Sequence, residues 1–167
     1  MHTLYLLRHA KSSWADRGLS DAERPLAARG RRDAKRIAKH LRTLGCEPEL
    51  VLCSPAARAR ETLELVRPAL DSSTVLLEDE LYAASSDDLL ARIRVVPDAV
   101  ASLMVIGHNP GLHQLALDLA SAGDELERLE PKFPTAGLAT LAVATVWSRL
   151  APAEATLTDY VVPKQLR

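Results

Sequence analysis

Two short apolar runs, each ending abruptly at a polar, histidine-bearing sequence, constrain this chain most. Thr3-Leu4-Tyr5-Leu6-Leu7 stops at Arg8-His9, and Leu103-Met104-Val105-Ile106 stops at Gly107-His108-Asn109-Pro110-Gly111. Unbroken apolar runs of this length read as strands buried on both faces of a sheet. Their carboxyl ends are where open α/β sheets place their sites. Helical patterns fill the intervals. Pro25 opens a helix in which Gly30, Ala34, Ile37, Leu41 and Leu44 share one face, and Gly45 stands at its end as a C′ glycine. Leu50 to Cys53 is a second buried strand, followed by a helix from Ser54-Pro55 to about Leu70. Val75 to Leu77 is a weaker strand. A helix over Asp87–Val95, with Ser85 or Ser86 as N-cap, precedes the second histidine strand. The pattern then gives a helix from Leu112 to Ala122, a charged loop from Gly123 to Pro134, a strand over Leu138–Val146 and a short one near Tyr160–Val162.

Strands alternating with helices predict an α/β sandwich of three layers, with a mainly parallel central sheet flanked by helices. The 167 residues, 47% of them hydrophobic, suffice for one domain covering the whole chain, 1–167. Met1–Leu7 is too short, and too soon followed by Arg8 and Lys11, for a signal peptide, and no run of about 18 apolar residues could span a membrane. A cytoplasmic protein is expected. The net charge of −1 gives no global attraction to nucleic acid or to an anionic membrane. Cys46 and Cys53 lack metal-ligand spacing and read as packing residues.

The chemistry is concentrated in three strand ends. Arg8-His9, Gly107-His108 and the turn Ser54-Pro55-Ala56-Ala57-Arg58 converge on one sheet edge. Two guanidiniums match the oxygens of a phosphoryl group, and the helices after Ser54 and His108 add amide donors and positive dipole ends. Phosphoryl transfer asks little more than an in-line nucleophile and charge on the equatorial oxygens. Arg8 and Arg58 disfavour the His9 imidazolium, which keeps a lone pair on the ring near neutral pH.

These residues carry a resemblance. Arg8-His9-Ala10-Lys11-Ser12-Ser13-Trp14 resembles the first signature of the histidine phosphatase superfamily. Ser54 to Thr62 resembles its second arginine motif, and Gly107-His108-Asn109-Pro110 its second histidine motif. Arg24-Pro25-Leu26 with Gly30, Phe133-Pro134-Thr135 and the short length are similar to the SixA-like phosphohistidine phosphatase branch. The resemblance runs from Leu4 to about Val162 and implies a phosphoglycerate mutase-like fold. It also implies His9 as nucleophile and Arg8, Arg58 and His108 as phosphate-binding catalytic residues, with no cofactor and no metal. Ala10 replaces the usual glycine, as in the SixA-like branch. Ala15 stands where mutase-like members carry a phosphate-contacting asparagine, which makes sugar phosphates less suited.

The general acid is open between Glu80, in Glu78-Asp79-Glu80-Leu81-Tyr82, and Asp21, with a solvated carboxylate loop as the bland alternative for Glu80. The substrate expected is phosphohistidine on a protein, cleaved through a phospho-His9 intermediate. A small phosphorylated molecule, hydrolysed by a broad phosphomonoesterase with Glu80 as acid, is the second reading, and a non-catalytic phosphate-recognition module the third. The short stretch between Arg58 and His108 leaves little for a lid, which favours an open pocket. Arg29, Arg31, Arg32, Lys35, Arg36, Lys39 and Arg42 crowd the first helix, with Asp33 the only acid among them. Such a face either docks an acidic protein or polyanion or is simply solvated. His113 reads as a helix surface or packing residue, and Trp14 either lids the pocket or packs on the first helix.

Overall fold

Each of the central strands divides its side chains between two cores. In the computed structural model, which describes residues 1–166, strand β1 (His2–Arg8) sends Leu4 and Leu6 to one face and Tyr5 and Leu7 to the other. Strands β2 (Leu50–Cys53) and β4 (Ser102–Gly107) divide theirs in the same way. Helices α1 (Ala28–Leu44) and α2 (Ala57–Val66) cover one face through Ile37, Leu41, Leu63 and Val66. Helices α3 (Ser86–Arg94) and α4 (Gly111–Leu119) cover the other through Leu89, Ile93, Leu112 and Leu115. Buried on both sides, these strands have no solvent face on which to alternate, which is why they appear as continuous apolar runs.

With β3 (Thr74–Leu77), β5 (Ala120–Ala122), β6 (Leu138–Val143) and β7 (Ala155–Val161), the sheet is ordered β3-β2-β4-β1-β6-β7-β5. Pairings β1·β4, β2·β4, β2·β3 and β5·β7 are parallel, and β1·β6 and β6·β7 are antiparallel. The architecture is therefore the expected α/β sandwich with a mainly parallel sheet.

Local boundaries differ from the sequence pattern for identifiable reasons. The first helix begins at Ala28 rather than Pro25, because Ser13 N–H donates to Pro25 O (2.8 Å) and Ala27 N–H to Lys11 O (2.9 Å). Those bonds keep residues 25–27 extended against the loop after His9. Helix α2 gives way at Arg67 to a 3-10 turn that contains Pro68, whose missing N–H cannot continue the ladder. Helix α4 ends at Leu119, and the residues beyond it form an edge strand on β7. A short helix, α5 (Leu126–Leu129), lies inside the expected loop. Strand β7 starts at Ala155, earlier than expected, with Ala155 and Leu157 buried and Thr156 and Thr158 exposed between them.

Helix α1 sits so close to the loop after His9 that a Cβ on Gly30 would lie 2.1 Å from the carbonyl oxygen of Lys11. Backbone, not a flexible side chain, blocks that space. Gly30→Ala should therefore destabilise the protein by about 1–3 kcal/mol through overpacking and lower activity by displacing the loop. The measurement is a urea midpoint beside steady-state turnover; an unchanged midpoint would show that α1 can shift without cost.

Candidate active site

The parallel pairing of β1 with β4 sets Arg8 opposite Gly107, and His9 N–H donates to Gly107 O at 3.1 Å. The residues that follow both strands therefore leave the sheet side by side. The rings of His9 and His108 stand 5.1 Å apart between centroids. Arg58, in the first turn of α2, reaches the same place, and Arg8 and Arg58 lower each histidine's affinity for protons. The structure thus brings together Arg8, His9, Arg58 and His108, the four residues singled out at the strand ends.

His9 is buried, and its Nδ1 lies 2.7 Å from Ala10 O. A carbonyl oxygen can only accept, so Nδ1 carries the proton and a neutral ring keeps its lone pair on Nε2. Burial pushes the His9 pKa down, the Ala10 bond opposes it, and His108, Arg8 and Arg58 each add a smaller downward push, leaving it at about 3. Burial and Arg58 push His108 down to about 4. Desolvation is the leading cause in both, ahead of the arginines that the sequence brings to mind first. His108 Nε2 shares a 2.7 Å hydrogen bond with the fully buried Ser54. Arg8 Nη1 donates to Phe133 O at 3.2 Å, as does Asn109 Nδ2 at 2.7 Å. Arg8 Nε and His108 Nδ1 are buried without a partner among the described residues.

Thr62 ties the arginine helix to the histidine loop. Its hydroxyl accepts from Ala10 N–H at 2.9 Å and donates to Arg58 O at 2.7 Å. Ala10 is buried and has no positive φ, so alanine fits the position that glycine takes elsewhere.

Asp21 enters the site and Glu80 does not join it. Arg58 donates from Nη1 to Asp21 O (2.8 Å) and from Nη2 to Asp21 Oδ2 (3.0 Å), while Arg24 donates to Oδ1 (2.9 Å) and Tyr82 Oη to Oδ2. Those donors, Tyr82 foremost, hold the Asp21 carboxyl well below the usual carboxylate range, so at neutral pH it is ionised. Arg58 still keeps three of its five N–H groups for another acceptor. Glu80 is exposed, beside Leu77, Glu78, Asp79 and Arg92, and no hydrogen bond or ion pair among the described residues joins it to His9, Arg8, Arg58 or His108. The side chain from that segment that reaches the site is Tyr82, edge-on to His108 at 5.6 Å and 5.9 Å from the Arg58 guanidinium. Nothing in a lone tyrosine two residues past Glu80 announces that role, whereas Asp21, a candidate acid in the sequence, enters the site as the ionised partner of Arg58.

Trp14 is 70% exposed and lies against the Arg24 guanidinium, 3.2 Å from carbon to ring centre, rather than on the first helix. His113 packs on Phe133 and bonds to Leu129 O. Cys53 is buried, its thiol pushed up to about 12 by desolvation. Among the described residues no group of three or more His, Cys, Asp or Glu is placed to hold a metal ion, and no helix is long and apolar enough to cross a membrane.

Residues 4–84 match the family model of the histidine phosphatase superfamily (branch 1). A Mycobacterium tuberculosis protein is 40% identical over 162 residues, spanning 95% of this chain and all of that one. The phosphohistidine phosphatase SixA of Escherichia coli is 29% identical over 83% of each chain. A solved structure from Agrobacterium tumefaciens, assigned as a phosphohistidine phosphatase SixA, superimposes with a TM-score of 0.84 at 32% identity, covering 97% of this chain and 98% of that one. The chain belongs to the histidine phosphatase superfamily, in its SixA-like branch.

The depressed histidines make stability pH-dependent. Unfolded imidazoles bind protons below about pH 6.5, whereas His9 and His108 stay neutral in the fold until about pH 3 and 4. The unfolded state therefore takes up more protons, and stability falls as pH drops from about 6.5 toward 4. Urea unfolding followed across that range should show a shallower decline for His9→Ala than for the natural chain. Equal slopes would show that His9 titrates alike in both states.

Proposed function

We propose that this phosphatase hydrolyses phosphohistidine on a protein, through a covalent phospho-His9 intermediate and without a metal. The observation that carries the reading is the His9 ring, with its Nδ1–H fixed on Ala10 O and Nε2 left as a lone-pair donor among Arg8, Arg58 and His108. In the first step Nε2 attacks phosphorus in line, the bond from phosphorus to the leaving imidazole nitrogen breaks, and that nitrogen takes up a proton from solvent, so the side chain departs as neutral imidazole. In the second step water attacks the phospho-His9 phosphorus, releasing inorganic phosphate and a proton and restoring the His9 lone pair. Arg8 and Arg58 hold the phosphoryl oxygens as charge shifts onto them. The buried and unpartnered Arg8 Nε, which can only donate, agrees with a site that binds an acceptor.

The choice of phosphohistidine rests on leaving-group chemistry. An alkoxide needs a protonated acid beside the bridging oxygen, whereas an imidazole nitrogen leaves with little help. The carboxyl group in contact with this site, Asp21, is ionised and holds Arg58, and Glu80 stands apart. The relatives named phosphohistidine phosphatase support the same choice.

A panel of phosphohistidine peptide, phosphoramidate, phosphoserine peptide and sugar phosphates tests it: phosphohistidine should be turned over fastest, and a faster sugar phosphate would overturn the reading. His9→Ala should abolish turnover and trapping of acid-labile phosphate on the protein while the chain still unfolds in one cooperative urea transition at pH 7.5. Arg8→Ala and Arg58→Ala should each cost about 2–4 kcal/mol in kcat/KM, with lysine restoring only part, since a point charge cannot make a planar fork. Chelators should leave turnover unchanged.

Glu80→Gln separates the two enzymatic readings. Phosphohistidine turnover should be nearly unaffected and ester turnover low even in the natural chain. A loss of roughly 10²- to 10⁴-fold on an alkyl phosphate, the scale of general acid catalysis, would make Glu80 the acid of a phosphomonoesterase.

A further inference from the structure

The basic residues of α1 do not simply face solvent. Arg29, Arg32 and Arg36, spaced three and four apart, line one wall of a groove of about 1020 Å³. Arg128, Lys132 and Lys164 line the other. Two acids accompany these six cations, Asp33 and Glu127. Asp33 is buried and bonded to Arg36 at 3.1 Å, with Arg29 at 4.0 Å, so it fixes two of the arginines rather than cancelling the groove. Arg32, Lys132 and Lys164 form no ion pair among the described residues. Cations gathered in a concave surface repel one another and focus a positive field. The chain as a whole carries −1, so this field is local.

The groove adjoins the catalytic pocket. Phe133 O receives Arg8 and Asn109 on the pocket side, and the next two residues, Pro134 and Thr135, line the groove. Gly30, on the same first turns of α1, packs onto Lys11, two residues beyond His9. An extended chain with a phosphorylated side chain at His9 can therefore continue into it. Pro131, Pro134, Val162 and Pro163 supply apolar lining between the charges. That mixture suits a peptide backbone with acidic side chains better than a nucleic acid, which would call for exposed aromatic rings to stack its bases; the aromatic ring in this lining, Tyr160, is buried.

We propose that this groove binds an acidic segment of the substrate phosphoprotein, lying beside its phosphohistidine, and thereby selects which proteins reach His9. The proposal rests on the phosphohistidine reading above. Two phosphohistidine peptides that differ only in a flanking tract, Asp/Glu-rich in one and Ser/Gly in the other, test it on the natural chain and on the triple variant Arg32→Glu, Lys132→Glu, Lys164→Glu. The natural chain should favour the acidic peptide about tenfold in kcat/KM, mostly through KM, and lose that preference in high salt. In the triple variant the ratio between the peptides should fall to one or invert; being a ratio within one protein, it is independent of overall losses. Equal rates on both peptides with the natural chain would overturn the groove.

Failure to turn over either peptide would overturn the phosphohistidine reading instead, and fluorescence anisotropy with the unphosphorylated acidic peptide then decides the groove. Binding that the triple variant abolishes upholds it. No binding, or tighter binding of a single-stranded oligonucleotide, overturns it.

Discussion

The parallel ladder between β1 and β4 is the interaction on which the site depends. Because Arg8 pairs with Gly107, the residue after each strand leaves the sheet at the same level, and the two histidines meet without help from any loop insertion. A slip of one residue would send Leu4 and Leu6 to the opposite core and carry His9 away from His108. Two packed cores oppose that slip, so the same burial that stabilises the sheet also fixes the spacing of the reactive groups. Arg58 is brought to this pair from a third strand end, and Thr62 fastens its helix to Ala10.

Burial also sets the proton chemistry. A strand-end imidazole in water is half protonated near pH 6.5 and is then a poor nucleophile. Here desolvation and nearby guanidiniums work in the same direction, whereas for Arg8 burial works against its charge. The ionised Asp21 moderates the gathering of cations by holding Arg58 at two points. Its other partners, Arg24 and Tyr82, join the loop before α1 to the segment after β3 around Arg58.

Much of this was legible in the sequence because it depends on local pattern. The buried strands β1, β2 and β4 are unbroken apolar runs, and the helices over both faces follow a regular period, so the sandwich and the meeting of Arg8, His9, Arg58 and His108 could be read from strand ends alone. The rest depends on contacts between distant segments. The start of α1 moved to Ala28 because residues 25–27 bond to the loop at Lys11–Ser13. Tyr82 reaches His108 and Asp21 reaches Arg58 across gaps that no periodicity reports, and Glu80, close to Tyr82 in sequence, stays outside the cluster. The relative weight of desolvation over charge at His9 likewise needs the packed core, because the sequence shows neighbouring charges but not buried area.

The central position of β1 also bears on how the chain reaches this state. Its partners come late: Thr3 pairs with Ser102 and Leu7 with Leu138. During synthesis an apolar strand must therefore wait with both edges open until most of the chain has emerged, the condition in which strands pair with the wrong neighbour. Such non-local closure also slows folding relative to helical proteins of similar size. Under the mechanism proposed above, phosphoryl transfer draws on groups from both the first strand and its late partner, so activity would belong to the finished molecule alone, and its appearance during refolding would time the closure of the sheet.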